Sequence, residues 1–226
     1  MSVKGARRQE FADTFMHLVT ETPCNHRVSV VDITNAIGCE RKTFYYYFEN
    51  VDNLVIWIFR SAFKKIIETQ FAEYPQVKPH PELQDPYDDW PFYVRIETED
   101  RFLAQGPYFK AITYHWVDNR VYYANMFRTD ANSYNNLFEY LVNLYVPTIK
   151  DDILFMLGNR PTPPPPPDVL NFLAEYHVMG IFGRLQWHFG HTRKDIMQEA
   201  LNPYWNYAHT CIKHTIDGLG SERDAL

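Results

Sequence analysis

Apolar residues recur at helical spacing from the first turns of the chain onward. Phe11, Phe15, Leu18, Val19 and Thr22 share one face, predicting a helix over about Gly5–Thr22 that Pro23 ends. Ser29 is placed to cap the next helix, with Asp32 three residues on in a capping-box-like arrangement. Val30, Ile33 and Ile37 give that helix an apolar edge, and Gly38 stops it as a residue able to take positive φ. A third helix follows over about Arg41 to Phe48, with Phe44 and Phe48 four apart on its buried side. A fourth starts at Asn50 or Asp52, carries a Leu54, Ile58, Ala62 stripe, and runs to about Tyr74.

The pattern then breaks. Pro75, Pro79, Pro81, Pro86 and Pro91 make Tyr74–Pro91 a loop, because proline lacks the amide donor a helix needs. Helical patterns resume around Phe92–Ala104, after Pro107, and from about Ala131 to Leu157, where Pro147 predicts a kink. The prolines from Pro161 to Pro167 read as a stiff connector, with a polyproline ligand for a partner domain as the alternative. Asp168 caps a helix whose continuous face is Leu170, Leu173, Ala174, His177, Val178, Ile181 and Leu185. Gly180 and Gly183 on that helix permit close approach of another helix. A last helix, about Arg193 to Ile216, aligns Ile196, Ala200, Tyr204, Ala208, Cys211 and Thr215 and is bent by Pro203. No strand-like alternation persists, so the expected fold class is all-α. The expected division is a three-helix N-terminal domain over residues 1–50 and a larger helical domain over 51–226.

Residues 28–59 read as helix, tight glycine turn, short helix and entry to another, which is a helix-turn-helix. Its second helix is shaped to lie in a DNA major groove. Arg41, Lys42 and Thr43 open that helix and Tyr45 and Tyr46 follow, all groups able to reach phosphates and base edges. The net charge of −6 speaks against nucleic acid until its distribution is considered. Residues 1–65 hold 9 Lys/Arg against 7 Asp/Glu, a net +2, and the remainder carries −8. Local charge governs contact with phosphates.

Cys24, Cys39 and Cys211 are odd in number and scattered, so no disulfide framework is expected and a reducing interior is. The opening MSVKGARRQEF lacks a signal-peptide apolar stretch, and no long uncharged apolar run exists. The expected location is cytoplasmic, with no membrane contact. His188/His191 and Cys211/His214 each have the spacing of zinc-ligand pairs. No spacing forces the two pairs together, and no phosphate loop, serine elbow or HExxH motif is present. A metal-dependent enzyme is thus the distant alternative; no enzyme activity, cofactor or metal is expected.

The order of helices, with Ser29, Ile33, Gly38, Arg41-Lys42-Thr43, Phe44-Tyr45-Tyr46-Tyr47-Phe48 and Leu54 in register, resembles the TetR/AcrR family of bacterial transcriptional regulators. The resemblance covers about residues 7–62. The segments TFYYYF and NLVIWIF, and more weakly Phe182–Gly190, resemble the branch containing regulators of dihydroxyacetone-kinase operons. Val51 stands where the family usually has lysine, and Thr34 and Ile37 where alanine is more common. The resemblance implies phosphate contacts from Ser29, Thr43, Tyr45 and Tyr47, and groove contacts from Arg41, Lys42 and Tyr46. It also implies a regulator, expected to be a repressor, binding a near-palindromic DNA operator as a homodimer. The dimer is expected through residues 168–217, where two apolar helices from each subunit make a four-helix bundle. A small-molecule effector is expected in a pocket between about Phe92 and His188, lined by Phe102, Tyr122, Phe127, Tyr134, Phe138, Tyr176 and Trp187. The alternative is a body that binds a protein partner.

Overall fold

The computed structural model describes residues 3–21, 26–99, 102–128, 134, 136–158, 165–191, 210–211 and 214–218. Helix α1 spans Val3–Glu21 and buries Phe11, Ala12, Phe15 and Val19. Helix α2, Val30–Ile37, starts on the expected capping box: the Ser29 hydroxyl accepts from the Asp32 amide, and Asp32 accepts from the Ser29 amide. It ends at Gly38, whose φ of 75° is left-handed. The Gly38 and Cys39 amides then bond to the Asn35 and Thr34 carbonyls, closing the last turn. Helix α3 is Arg41–Tyr47, and helix α4, Val51–Gln70, is capped by the Asn50 side chain accepting from the Asn53 amide at 2.8 Å.

Aromatic rings join α1, α3 and α4. Phe11 meets Phe44 at 5.5 Å and Phe48 at 6.3 Å, and Phe48 meets Trp57 of α4 at 5.9 Å. Such edge-on pairs contribute beyond the area they bury.

The segment after α4 departs from its expected form. Strands β1, Gln76–Val77, and β2, Tyr93–Val94, pair antiparallel, and a bridge joins Glu97 to Leu103. The helix expected over Phe92–Ala104 is therefore absent, and the first helix there is α5, Gly106–Asp118. The reason is burial on every side: Phe92, Tyr93 and Val94 are consecutive and all inaccessible. Their polar backbone is satisfied from outside the segment. Phe92 donates to the Val77 carbonyl, Tyr108 Oη donates to the Phe92 carbonyl, and Gln105 Nε2 donates to the Val94 carbonyl.

Helix α6 is Arg120–Met126, α7 is Asn136–Leu157 and α8 is Pro167–His191. Helix α7 runs through Pro147 without interruption, although that proline interrupts the sequence pattern. Packing against α8, the most extensive helix pairing among the described residues, offsets the lost amide. Pro167, not Asp168, opens α8; its fixed φ suits a first helical position, and Asp168 sits in the first turn. The expected closing helix over about 193–216 falls largely outside the described residues. Within them residues 214–218 are helical and Ile216 is buried.

A buried arginine ties α4 to the loop that follows. Arg60 is fully inaccessible and pairs with Asp85 at 2.9 Å. Its guanidinium also donates to Tyr140 Oη of α7 at 2.7 Å and to the Tyr87 and Trp90 carbonyls at 2.8 and 2.5 Å. Tyr140 in turn donates to Asp85. A second buried network centres on Asp152 of α7, which accepts from Tyr93 Oη at 2.8 Å and Arg95 Nε at 2.6 Å. Burial pushes the Asp152 carboxyl up to about 6, with Arg95 and Tyr93 pulling the other way.

Candidate nucleic-acid interface

Helix α3 is short, so its orientation comes from its neighbours and not from its own propensity. Phe44 is fully buried against Phe11, which fixes the inner face. Arg8 of α1 lies 5.7 Å over the Phe48 ring and donates to the Tyr47 carbonyl, placing a cation at the C-terminal end of α3. Lys4 lies 5.8 Å over the Tyr46 ring. These contacts hold α3 as a ridge between α1 and α4.

The opposite face is open. Arg41, Lys42, Tyr45 and Tyr46 are exposed, Tyr46 at 72%, while Thr43 and Tyr47 are half-buried. Ser29 is exposed at the start of α2, but its hydroxyl is engaged by Asp32 at 2.6 Å. Those hydrogen bonds hold the Asp32 carboxyl below the usual range, so the cap stays ionised. Lys42 pairs with exposed Glu40 at 2.8 Å, a contact that water and salt weaken readily. Arg60 contributes nothing to the surface potential, leaving 8 Lys/Arg against 7 Asp/Glu for residues 1–65. The positive character of this face therefore comes from placement, with Lys4, Arg41 and Lys42 around the Tyr45–Tyr46 edge.

The seven residues expected to line an effector pocket are spread over the body, although Tyr122 and Tyr134 both pack on Phe15. Tyr134 is buried between the two parts: its ring meets Phe15 at 5.5 Å, and its hydroxyl accepts from the Val28 amide at 2.9 Å. The guanidinium of Arg27 lies 5.0 Å over the same ring and pairs with Asp52 at 3.1 Å. Phe127 stacks on Phe189 at 5.5 Å, and Tyr122 packs on Phe15 at 6.2 Å. Phe102 and Phe138 are half-buried. Tyr176 and Trp187 are 65% and 62% exposed among the described residues, on the outer side of α8. The cause is helical phase, since α8 turns Leu170, Ala174, Val178, Ile181 and Leu185 inward and these two rings outward.

Two grooves lie instead beside α1. One, of about 360 Å³, runs between Met16, Thr20 and the α5–α6 turn and has Tyr122 in its wall. The other, of about 610 Å³, lies between α1, α4 and His115 of α5. The capping box, the left-handed glycine and the exposure of the basic pair all follow the sequence reading. The ring contacts of Lys4 and Arg8, and the bond from the Val28 amide to Tyr134, a residue expected in an effector pocket, depend on packing between distant segments and have no local signal.

No family model matches the chain. A stretch of 42 residues is 43% identical to the HTH-type dhaKLM operon transcriptional activator DhaS of Lactococcus lactis subsp. lactis (strain IL1403). That match spans 19% of this chain and 22% of the relative's length. Among solved structures, a protein named dihydroxyacetone kinase operon activator DhaS superposes with a TM-score of 0.53. The superposition covers 91% of this chain and 96% of that one at 17% identity, a likeness of fold. The fold is all-α, apart from the two short strands. Both matched proteins are transcriptional activators by name, not enzymes, and neither supports repression. No described helix is long and apolar enough to cross a membrane.

Proposed function

We propose that the protein is a DNA-binding transcriptional regulator of the TetR/AcrR kind, with its reading head in residues 1–50 and its control and pairing surfaces in 51–226. One observation carries the reading: a capped helix, a left-handed glycine and a helix that buries Phe44 while leaving Arg41, Lys42, Tyr45 and Tyr46 open. That is the arrangement a recognition helix needs in a major groove. Arg41, Lys42 and Tyr46 face the bases in this reading, Thr43, Tyr45 and Tyr47 face phosphates, and Ser29 reaches a phosphate only by giving up its hydroxyl bond to Asp32. The named relatives support control of transcription, with activation as the sign their names carry.

The functional unit in this proposal is a homodimer through residues 168–217. Phe172, Tyr176, Met179 and Trp187 form an exposed apolar stripe along α8. A Cβ built at Gly183 would meet nothing within 4 Å among the described residues, which in this reading leaves room for a partner helix. Exposed stripes of this kind mark interaction surfaces, and two-fold pairing is the commonest way to cover one. Two heads so related bind a near-palindromic site with half-sites roughly one helical turn apart or slightly more. Control by a small molecule is favoured over a protein partner by the two grooves at the junction of head and body.

Selection from a genomic DNA library tests the reading, and enrichment of a near-palindrome is the expected result. Arg41→Ala or Lys42→Ala should then cost about 1–3 kcal/mol in operator affinity and relax specificity if the residue reads a base. Tyr45→Phe should weaken all sequences alike. Selection that enriches no palindrome overturns the proposal.

A further inference from the structure

We propose that the cleft between α1, α4 and α5 binds a small organic anion with an apolar body, and that its occupancy sets how the head sits on the linking helix α4. The second half rests on the DNA-binding reading; the binding itself does not. The cleft volume, about 610 Å³, is that of a small-molecule site.

Its chemistry is asymmetric. Met16 of α1 and Ile58, Ala62 and Ile66 of α4 supply an apolar wall. The polar members are the amides Gln9 and Gln70, the hydroxyls of Ser61 and Thr69, His115, and Lys65. Both hydroxyls already donate to carbonyls of α4, at 3.1 and 2.7 Å. His115 is spent internally: Nε2 meets Tyr123 Oη at 2.9 Å and Nδ1 meets Asn119 at 3.4 Å. Burial also pushes its pKa down to about 4, so it brings no charge. Lys65 is thus the charged lining residue. It is exposed, and no ion pair is made to it among the described residues. Its neighbour Lys64, by contrast, is paired with Glu68. No carboxylate lines the cleft among the described residues, and Asp13 of α1 accepts from Gln9 at 2.8 Å. An uncompensated ammonium beside an aliphatic wall selects an anionic head on an apolar tail.

Trp57 stands in the same wall. Trp57 is 5% exposed, and its indole Nε1 is buried with no hydrogen-bond partner among the described residues. The same ring touches Phe48, the residue that ends α3. A ligand that moves Trp57 therefore acts one ring away from the reading helix, while one that wedges α1 from α4 rotates the whole head. This cleft is separate from the interior of the body, where Tyr93, Tyr108 and Tyr145 pack ring against ring.

The test is calorimetric titration of the full chain with hexanoate, hexyl phosphate and the uncharged hexanamide. Saturable binding of one or both anions is expected, with hexanamide weaker by roughly three- to tenfold, the scale of a partly exposed charge-assisted contact. Lys65→Gln should erase that preference, and Ala62→Trp, which fills the cleft, should abolish binding. Lys65→Glu, at an exposed position, should abolish anion binding where Ala62→Trp does not fold. Hexanamide binding as tightly as the anions, or anion binding unchanged in Lys65→Glu, overturns the site. Affinity for the selected operator is measured with and without the bound anion. Binding that leaves operator affinity unchanged overturns the coupling alone. A protein that binds no DNA under any condition overturns the regulator reading and leaves the titration result intact.

Discussion

Replacing Arg60 by methionine should be among the most damaging changes to the described part of the body. The side chains of Arg60 and Asp85 are 0% and 2% exposed, so neither charge has water to fall back on. Methionine keeps much of the volume but strands the Asp85 carboxylate and leaves the Tyr87 and Trp90 carbonyls without their donor. Removing one partner of a buried pair costs about 3–5 kcal/mol. For a chain of this size each kcal/mol shifts the melting temperature by about 2–4 °C, so a drop of roughly 6–20 °C is expected. Thermal and urea unfolding followed by far-ultraviolet circular dichroism, at fixed protein concentration, measures it. The double variant Arg60→Met/Asp85→Asn should recover part of the loss, since the amide removes the stranded charge and its oxygen still accepts from Tyr140 or the Tyr87 amide. A single-variant loss under about 1 kcal/mol, the scale of an exposed pair, would refute the argument. So would a double variant less stable than the single one.

Gly38→Ala should cost about 1–2 kcal/mol through its positive φ alone, because an added Cβ meets nothing within 4 Å; unfolding measurements check it. Asp152 has a folded pKa raised from 3.8 to about 6, so the stability its neutral form contributes is complete below about pH 4 and is lost as pH rises through about 6. Two pKa steps correspond to about 3 kcal/mol, and Asp152→Asn should flatten that part of the stability profile. Sedimentation should show a dimer at micromolar concentration that Met179→Glu/Trp187→Glu turns into a monomer; a monomeric parent chain counts decisively against the pairing surface.

The head was legible because its signals are local. Ser29, Asp32 and Gly38 each act within four residues, and the Phe44–Phe48 spacing states which face turns inward. The region from Phe92 to Ala104 was misread because an apolar run of this length fits a helix or a buried strand equally well. What decided it was Val77, fifteen residues upstream, and Gln105, whose side chain reaches the Val94 carbonyl. Arg60 carried no signal either, since a lone cation on an apolar stripe does not announce a carboxylate twenty-five residues later. For the expected pocket, aromatic content was visible but phase was not. Tyr176 and Trp187 point away from the rings they were grouped with, because the inward arc of α8 is set by α7.

The Arg60 knot makes α4 a lever with its fulcrum near mid-length. Arg60 is fastened to the loop and to Tyr140, so the helix cannot slide along its axis without dragging Asp85 and α7 with it. Tilting remains open. From Arg60 to Val51 is nine residues, or about 14 Å of helix, so a tilt of about 5° displaces the end that carries α3 by roughly 1 Å. The Arg27–Asp52 pair and the Tyr134 hydroxyl grip the chain close to that moving end, where they set how far it swings.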